Sequence, residues 1–224
     1  MINIENRDAE WIERNTARLM ELMTQERIET FQRVLSMRTR YMTILTENTF
    51  HSQNSSALIR HCDAFGVMDI HAVENLCRFQ AYHDIVRGSD KWIGINRYES
   101  SRQALHHLKE SGYRIVATSP HKGGSTPELF DVMKSPFALV FGEEKSGISD
   151  EVIELSDEFI QIPMCGMVES LNVSASAAII IYQLSEKIRH STLDWQLGED
   201  EKRNILFDWC MKSVRSSELI IEQI

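Results

Sequence analysis

Four segments of this chain combine side chains able to do chemistry with small residues that let a ligand approach the backbone. The longest reads Ile162-Pro163-Met164-Cys165-Gly166-Met167-Val168-Glu169-Ser170-Leu171-Asn172-Val173-Ser174 and continues through Ala175-Ser176-Ala177-Ala178. It has the pattern of a strand end, a glycine-containing loop and a helix start. Ser170 and Asn172 would place uncharged donors and acceptors beside a helix N-terminus, where backbone N–H groups are also unsatisfied. Tight packing alone accounts for the alanines and serines, but not for so specific a polar loop.

A second segment, Phe141-Gly142-Glu143-Glu144-Lys145-Ser146-Gly147, sets two glycines around adjacent acids directly after an apolar run. Glycines there open backbone conformations closed to other residues and permit close approach of a ligand. A plain turn before a helix capped by Ser149 is the competing reading. In the third, Asn54-Ser55-Ser56-Ala57-Leu58-Ile59-Arg60, a helix start precedes an arginine by six positions. Leu58, Ile59, Cys62 and Phe65 can form the buried face of that helix, leaving Arg60 at a rim or in solvent. Asn54 and Ser55 are good N-caps, so a capped surface helix explains this segment equally simply. The fourth follows Ile115-Val116-Ala117-Thr118 and contains Gly123-Gly124. Thr118 at a strand end can meet a ligand, although turn formation is the commoner role of such a stretch.

These segments need a scaffold, and hydrophobic periodicity supplies one. Short apolar runs at 41–46, 67–73, 92–95, 113–118, 137–141 and 159–162 read as strands. Helical patterns cover 54–66, 101–112 and 172–189, with a short helix after Ser149 and Gly66 as a C-cap. Strands alternating with helices predict an α/β core with a mostly parallel sheet and helices on both faces. A helical pattern at 12–37 precedes the core, and another, with Leu206, Trp209, Val214 and Leu219, follows a polar break at 191–200. The expected division is a helical N-terminal extension at 1–40, a core at 41–190 and a helical C-terminal extension at 191–224. In such sheets ligands bind beyond the carboxyl ends of the strands, where all four segments fall.

A length of 224 residues suits one α/β core with extra helices. With 42% apolar and 25% charged residues, the composition is that of a folded globular chain. No run is long and apolar enough to span a membrane, and the start lacks a signal-peptide pattern, so a cytoplasmic protein is expected. Cys62, Cys77, Cys165 and Cys210 lie far apart, as reduced structural thiols would, and no metal-ligand spacing is present. A net charge of −9 excludes nucleic-acid binding through overall charge. Local clusters can still serve. Arg27, Arg33, Arg38 and Arg40 form one, opposed in that stretch only by Glu29, and Arg33, Arg38 and Arg40 are the expected RNA contacts. A solvated helix face is the alternative.

Three of the segments carry a resemblance. Asn54-x-x-Ala57-x-x-Arg60, Gly142-x-Glu144-x-x-Gly147 and the long stretch from Ile162 to Ser174 resemble, in order, the three motifs of the SpoU–TrmH family of RNA ribose 2'-O-methyltransferases. The resemblance implies the SPOUT fold, with a trefoil knot in the C-terminal part of the core, and a homodimer whose active site lies close to the subunit interface. It also implies S-adenosylmethionine as cofactor, held by loops containing Thr118, Gly142, Ile162, Met164 and Leu171. Arg60, Asn54, Glu144, Ser170 and Asn172 would form the catalytic site.

The flanking helices are similar to those of family members that methylate guanosine 18 in the D-loop of tRNA. Ribosomal RNA, another tRNA nucleotide, or a catalytically silent RNA-binding role remain the alternatives. A dinucleotide-dependent oxidoreductase is disfavoured, because no Gly-x-Gly-x-x-Gly follows the first strand. A ribose hydroxyl is a poor nucleophile, so such an enzyme must align the reacting atoms and stabilise charge as the proton leaves. Arginine side chains stay protonated, which favours Arg60 as a charge stabiliser over a simple base.

Overall fold

Six of the apolar runs form strands and most of the periodic segments form helices in the computed structural model, which describes residues 7–49, 51–119, 123–143 and 146–221. In chain order the helices and strands are α1 (Ala9–Met20), α2 (Gln25–Leu35), β1 (Met42–Glu47), α3 (Ser52–Phe65), β2 (Asp69–Val73), α4 (His83–Val86) and β3 (Gly94–Tyr98). There follow α5 (Ser101–Glu110), β4 (Arg114–Thr118), β5 (Phe137–Phe141), α6 (Asp150–Leu155), β6 (Glu158–Ile160), α7 (Val173–Arg189) and α8 (Glu199–Ser213).

All six strands are parallel and lie in the order β3-β2-β1-β5-β4-β6. The register pairs Ile44 with both Ile70 and Leu139. Central β1 and β5 are buried along their whole length, as strands covered on both faces must be. On one face Ile44, Leu139, Leu58 and Ile59 pack with Ile180, Ile181 and Leu184, so α3 and α7 cover it. On the other, Leu45 and Val140 meet Ala104, Leu105, Leu108 and Val152 from α5 and α6. The strand order changes direction between β1 and β5. In open parallel sheets the ligand crevice lies at such a switch, beyond the carboxyl ends of the strands.

This core occupies residues 39–195, and residues 1–38 and 196–224 contribute to a second compact unit. Residues 191–195, expected in the terminal extension, pack with the core instead: Leu193 and Trp195 lie against it, and Thr39 Oγ1 donates to Trp195 O at 2.5 Å.

In the helical unit, the periodicity at 12–37 predicts one helix where the structure has two. Asp8 caps α1, accepting from Trp11 N at 2.8 Å, and Thr24 restarts the helix by accepting from Arg27 N at 3.3 Å. The interior is aromatic: Trp11 meets Phe207 at 5.7 Å between ring centres and Phe31 meets Trp209 at 5.4 Å. Arg38 belongs to this interior. It is 0% exposed, with its guanidinium 5.5 Å from the Trp209 ring centre, so the expectation that it grips RNA is corrected. A cation with no exposed surface is not presented to a phosphate. Arg40 lies in the core unit and is already partnered, its Nε 2.6 Å from Asp69 Oδ2. Arg27 and Arg33 are exposed on α2.

Candidate functional site

The loops after β4, β5 and β6 and the start of α7 enclose a cleft of about 400 Å³. All five residues expected around a cofactor line it: Thr118, Gly142, Ile162, Met164 and Leu171. Ser170 and Asn172 line it as well. These loops are far apart in sequence, and the parallel strands bring their carboxyl ends to one edge of the sheet.

Each wall has a local cause. Thr118 Oγ1 donates to Val140 O at 2.9 Å, so this hydroxyl ties β4 to β5. After β5 the chain folds back on itself: Glu143 N donates to Gly147 O at 2.8 Å and Gly147 N to Glu143 O at 2.9 Å. A Cβ at Gly142 would lie 2.2 Å from the Gly147 carbonyl, so only glycine fits this close approach. Glu144, the remaining acid of the segment, lies outside the described residues. Opposite, Asn172 caps α7, its Oδ1 accepting from Ser174 N at 2.8 Å and Ala175 N at 3.4 Å. Its Nδ2 donates to Asn54 Oδ1 at 3.3 Å, joining two expected site residues 118 positions apart in sequence.

Asn54 does not cap its helix. Helix α3 begins at Ser52 with His51 at the cap position, and Asn54, nearly buried, turns its amide to Asn172. Arg60 is not among the residues lining the cleft of its own chain. It is exposed on α3, where its Nη1 donates to Ile85 O at 3.3 Å. Beside it, burial lowers the His61 pKa from the usual histidine value; a backbone hydrogen bond with Ser174 opposes this, and the Arg60 charge reinforces it. His61 is therefore mostly neutral at neutral pH.

Sequence reasoning missed several cleft residues. Ser119, Gln161, Glu143, Glu169 and Ser176 also line it, each adjacent or close in sequence to a residue of the expected set. Among the described residues no Lys or Arg lines it, and Glu143 and Glu169 supply charge there. The rim is apolar in places: Met167 is fully exposed, and Val168 and Leu171 are also well exposed.

A nucleoside-sized cleft beyond the carboxyl ends of β4, β5 and β6 in a parallel sheet, walled by glycine loops and a capped helix, defines an α/β ligand-binding site. The SpoU rRNA Methylase family model matches residues 41–182, and the chain belongs to that family. A relative in Borreliella burgdorferi, named tRNA (guanosine(18)-2'-O)-methyltransferase, is 35% identical over 202 residues, covering 90% of this chain and 92% of the relative. One of the same name in Thermus thermophilus is 34% identical over 195 residues, covering 86% of this chain and 100% of the relative. The crystal structure of the Aquifex aeolicus TrmH/SpoU tRNA modifying enzyme superposes with a TM-score of 0.74 at 32% identity, over 86% of this chain and 98% of that one. The SpoU methyltransferase AviRb of Streptomyces viridochromogenes, solved with AdoMet, shares the fold at 23% identity and a TM-score of 0.58, over 71% of this chain and 62% of that one.

Proposed function

We infer that this chain methylates the ribose 2'-hydroxyl of guanosine 18 in tRNA, using S-adenosylmethionine. The observation that carries the reading is the meeting of Thr118, Gly142, Ile162, Met164, Leu171 and the Asn54–Asn172 pair around one cleft, in a chain whose relatives match it nearly end to end. The residues fit the cofactor: the volume is in the range of small-molecule sites, and Gly142 leaves backbone rather than side chain at the wall. When bound, the cofactor supplies a methyl group already activated on sulfonium. The chain has to hold the ribose hydroxyl in line, keep water out, and offset charge as the hydroxyl proton leaves. Asn54 and Asn172 present amides for orientation, and Arg60 offers the positive charge.

Because Arg60 stands outside its own chain's cleft, the reading includes a homodimer in which Arg60 of one copy serves the cleft of the other. It also includes the trefoil-knotted SPOUT topology and, with tRNA as substrate, work in the cytoplasm. No described helix is long and apolar enough to cross a membrane. The family description names ribosomal RNA, which makes an rRNA ribose the second reading.

Purified protein with S-adenosylmethionine is expected to methylate unmodified tRNA at guanosine 18, mapped by mass spectrometry of ribonuclease fragments. Methylation of rRNA alone selects the second reading. Calorimetry that detects no binding of the cofactor or its demethylated product sinks both and leaves a silent RNA-binding protein.

RNA binding should fall on the exposed arginines of α2. The double variant Arg27→Ala, Arg33→Ala is expected to weaken tRNA binding and flatten the slope of log K against log salt by about 0.9 for each phosphate no longer neutralised. Cofactor affinity should not change. An unaltered slope would make this a solvated helix face.

A further inference from the structure

Strand β1 ends at the switch point in Glu47, a carboxylate only 3% exposed. Three donors converge on it. Ser149 N donates to Oε2 at 2.9 Å, Ser149 Oγ to Oε1 at 2.8 Å, and Ser101 Oγ also to Oε1. Ser101 opens α5, whereas Ser149 is the N-cap of α6 and also accepts from Val152 N at 3.2 Å.

We propose that Glu47 is a positioning residue for methyl transfer, pinning the cleft wall formed by Gly142, Glu143 and Gly147 to the strand that leads into Asn54. The proposal rests on the cofactor reading given above. The first end of that wall is fixed by the sheet, since Phe141 pairs with Thr46 across β5 and β1. Among the described residues, no strand includes its second end at Gly147. The Glu143–Gly147 backbone pair closes the turn on itself without tying it to the sheet. Two residues beyond Gly147, Ser149 supplies the tie by placing both its N–H and its hydroxyl on Glu47. One buried side chain thereby links the cofactor wall, the start of α5 and the segment carrying Asn54.

Glutamine is the informative replacement. It conserves size but puts an NH₂ donor where one carboxylate oxygen accepts, so at least one of the three buried donors loses its partner. The competing explanation is that Glu47 merely caps α6 and stabilises the core.

The test compares Glu47→Gln and the milder Ser149→Ala, which keeps the backbone donor. The expected result for Glu47→Gln is cofactor affinity weakened by about 10-fold, as removal of a charge-assisted hydrogen bond would give. It should lower kcat with little change in KM for tRNA. In the cofactor-free protein, amide exchange should quicken at Gly142, Glu143, Gly147 and Ile148, while β4 and α7 keep their rates. Ser149→Ala should show the same pattern more weakly, with Ser149→Thr restoring it. Unchanged cofactor affinity, or exchange quickened evenly through the core, overturns the proposal. Should Glu47→Gln fail to fold, Ser149→Ala decides by the same criteria. A wild-type protein that binds no cofactor sinks the functional reading instead, and exchange in the cofactor-free protein still decides whether Glu47 holds the wall.

Discussion

Arg60→Ala is expected to slow single-turnover methylation of tRNA by about 10²–10³-fold, the usual cost of removing a preorganised charge from a transition state. Cofactor affinity and dimerisation should be unchanged. Arg60 is exposed on α3, bonds the carbonyl of Ile85 and is absent from the lining of its own cleft, so its removal leaves the cofactor walls as they are. What disappears, on the proposed mechanism, is a planar cation for the oxygen that gains charge as the ribose hydroxyl loses its proton. Arg60→Lys should recover little, because an ammonium cannot contact a ribose oxygen and a phosphate together through a rigid fork.

The proposed dimer makes a further result checkable. Arg60→Ala mixed with Gly142→Val, whose new side chain has no room against Gly147, should regain activity through mixed dimers that keep one intact pairing of Arg60 and cleft. Near-normal turnover by Arg60→Ala would move the burden to Asn54 or Asn172. An inactive mixture of the two exchanged variants would place Arg60 on the cleft of its own chain.

The cleft loops were legible because their signal is local. A glycine directly after an apolar run and a polar loop before a small-residue helix mark strand ends, and parallel strands gather their ends at one edge. Residues whose partners are distant were misread. Asn54 has the composition of a cap, yet its amide is committed to Asn172, and nothing within a helical turn of it reveals that. Arg38 sits in sequence among arginines, but the aromatic residue that buries it, Trp209, arrives from the other end of the chain. Adjacency of charge in sequence is weak evidence for a patch: Arg27 and Arg33 on α2 are exposed, whereas Arg38, beyond the end of that helix, is buried. Glu47 had a usable signal: an acid closing a strand that is otherwise buried from end to end. Its role depends on Ser101 and Ser149, which only the strand order brings to it. That order has no trace in periodicity, which reports faces and not neighbours.

Asn172→Asp should separate structure from chemistry at the second expected site residue. Asn172 does two things at once: its Oδ1 caps α7, and its Nδ2 donates to Asn54. Aspartate keeps the first function, being as good an N-cap as asparagine, and its charge suits a helix N-terminus. It reverses the second: a donor becomes an acceptor, so the nearly buried Asn54 has to turn its amide over and donate instead. Thermal stability should therefore match or slightly exceed wild type, whereas Asn172→Ala should lose about 1 kcal/mol. A loss of that size lowers the midpoint by about 2–4 °C in a chain of this length. Activity should run the other way from stability. Asn172→Asp is expected to lower methyl transfer by about 10²-fold, because the amide pair proposed to orient the ribose is reversed and an unneutralised acid enters the site. Single-turnover rates, measured beside thermal melts for both variants, decide the matter. If Asn172→Asp turns over like wild type, Asn172 is a helix cap and nothing more; if both variants lose activity only in proportion to stability, the Asn54 hydrogen bond has no part in the reaction.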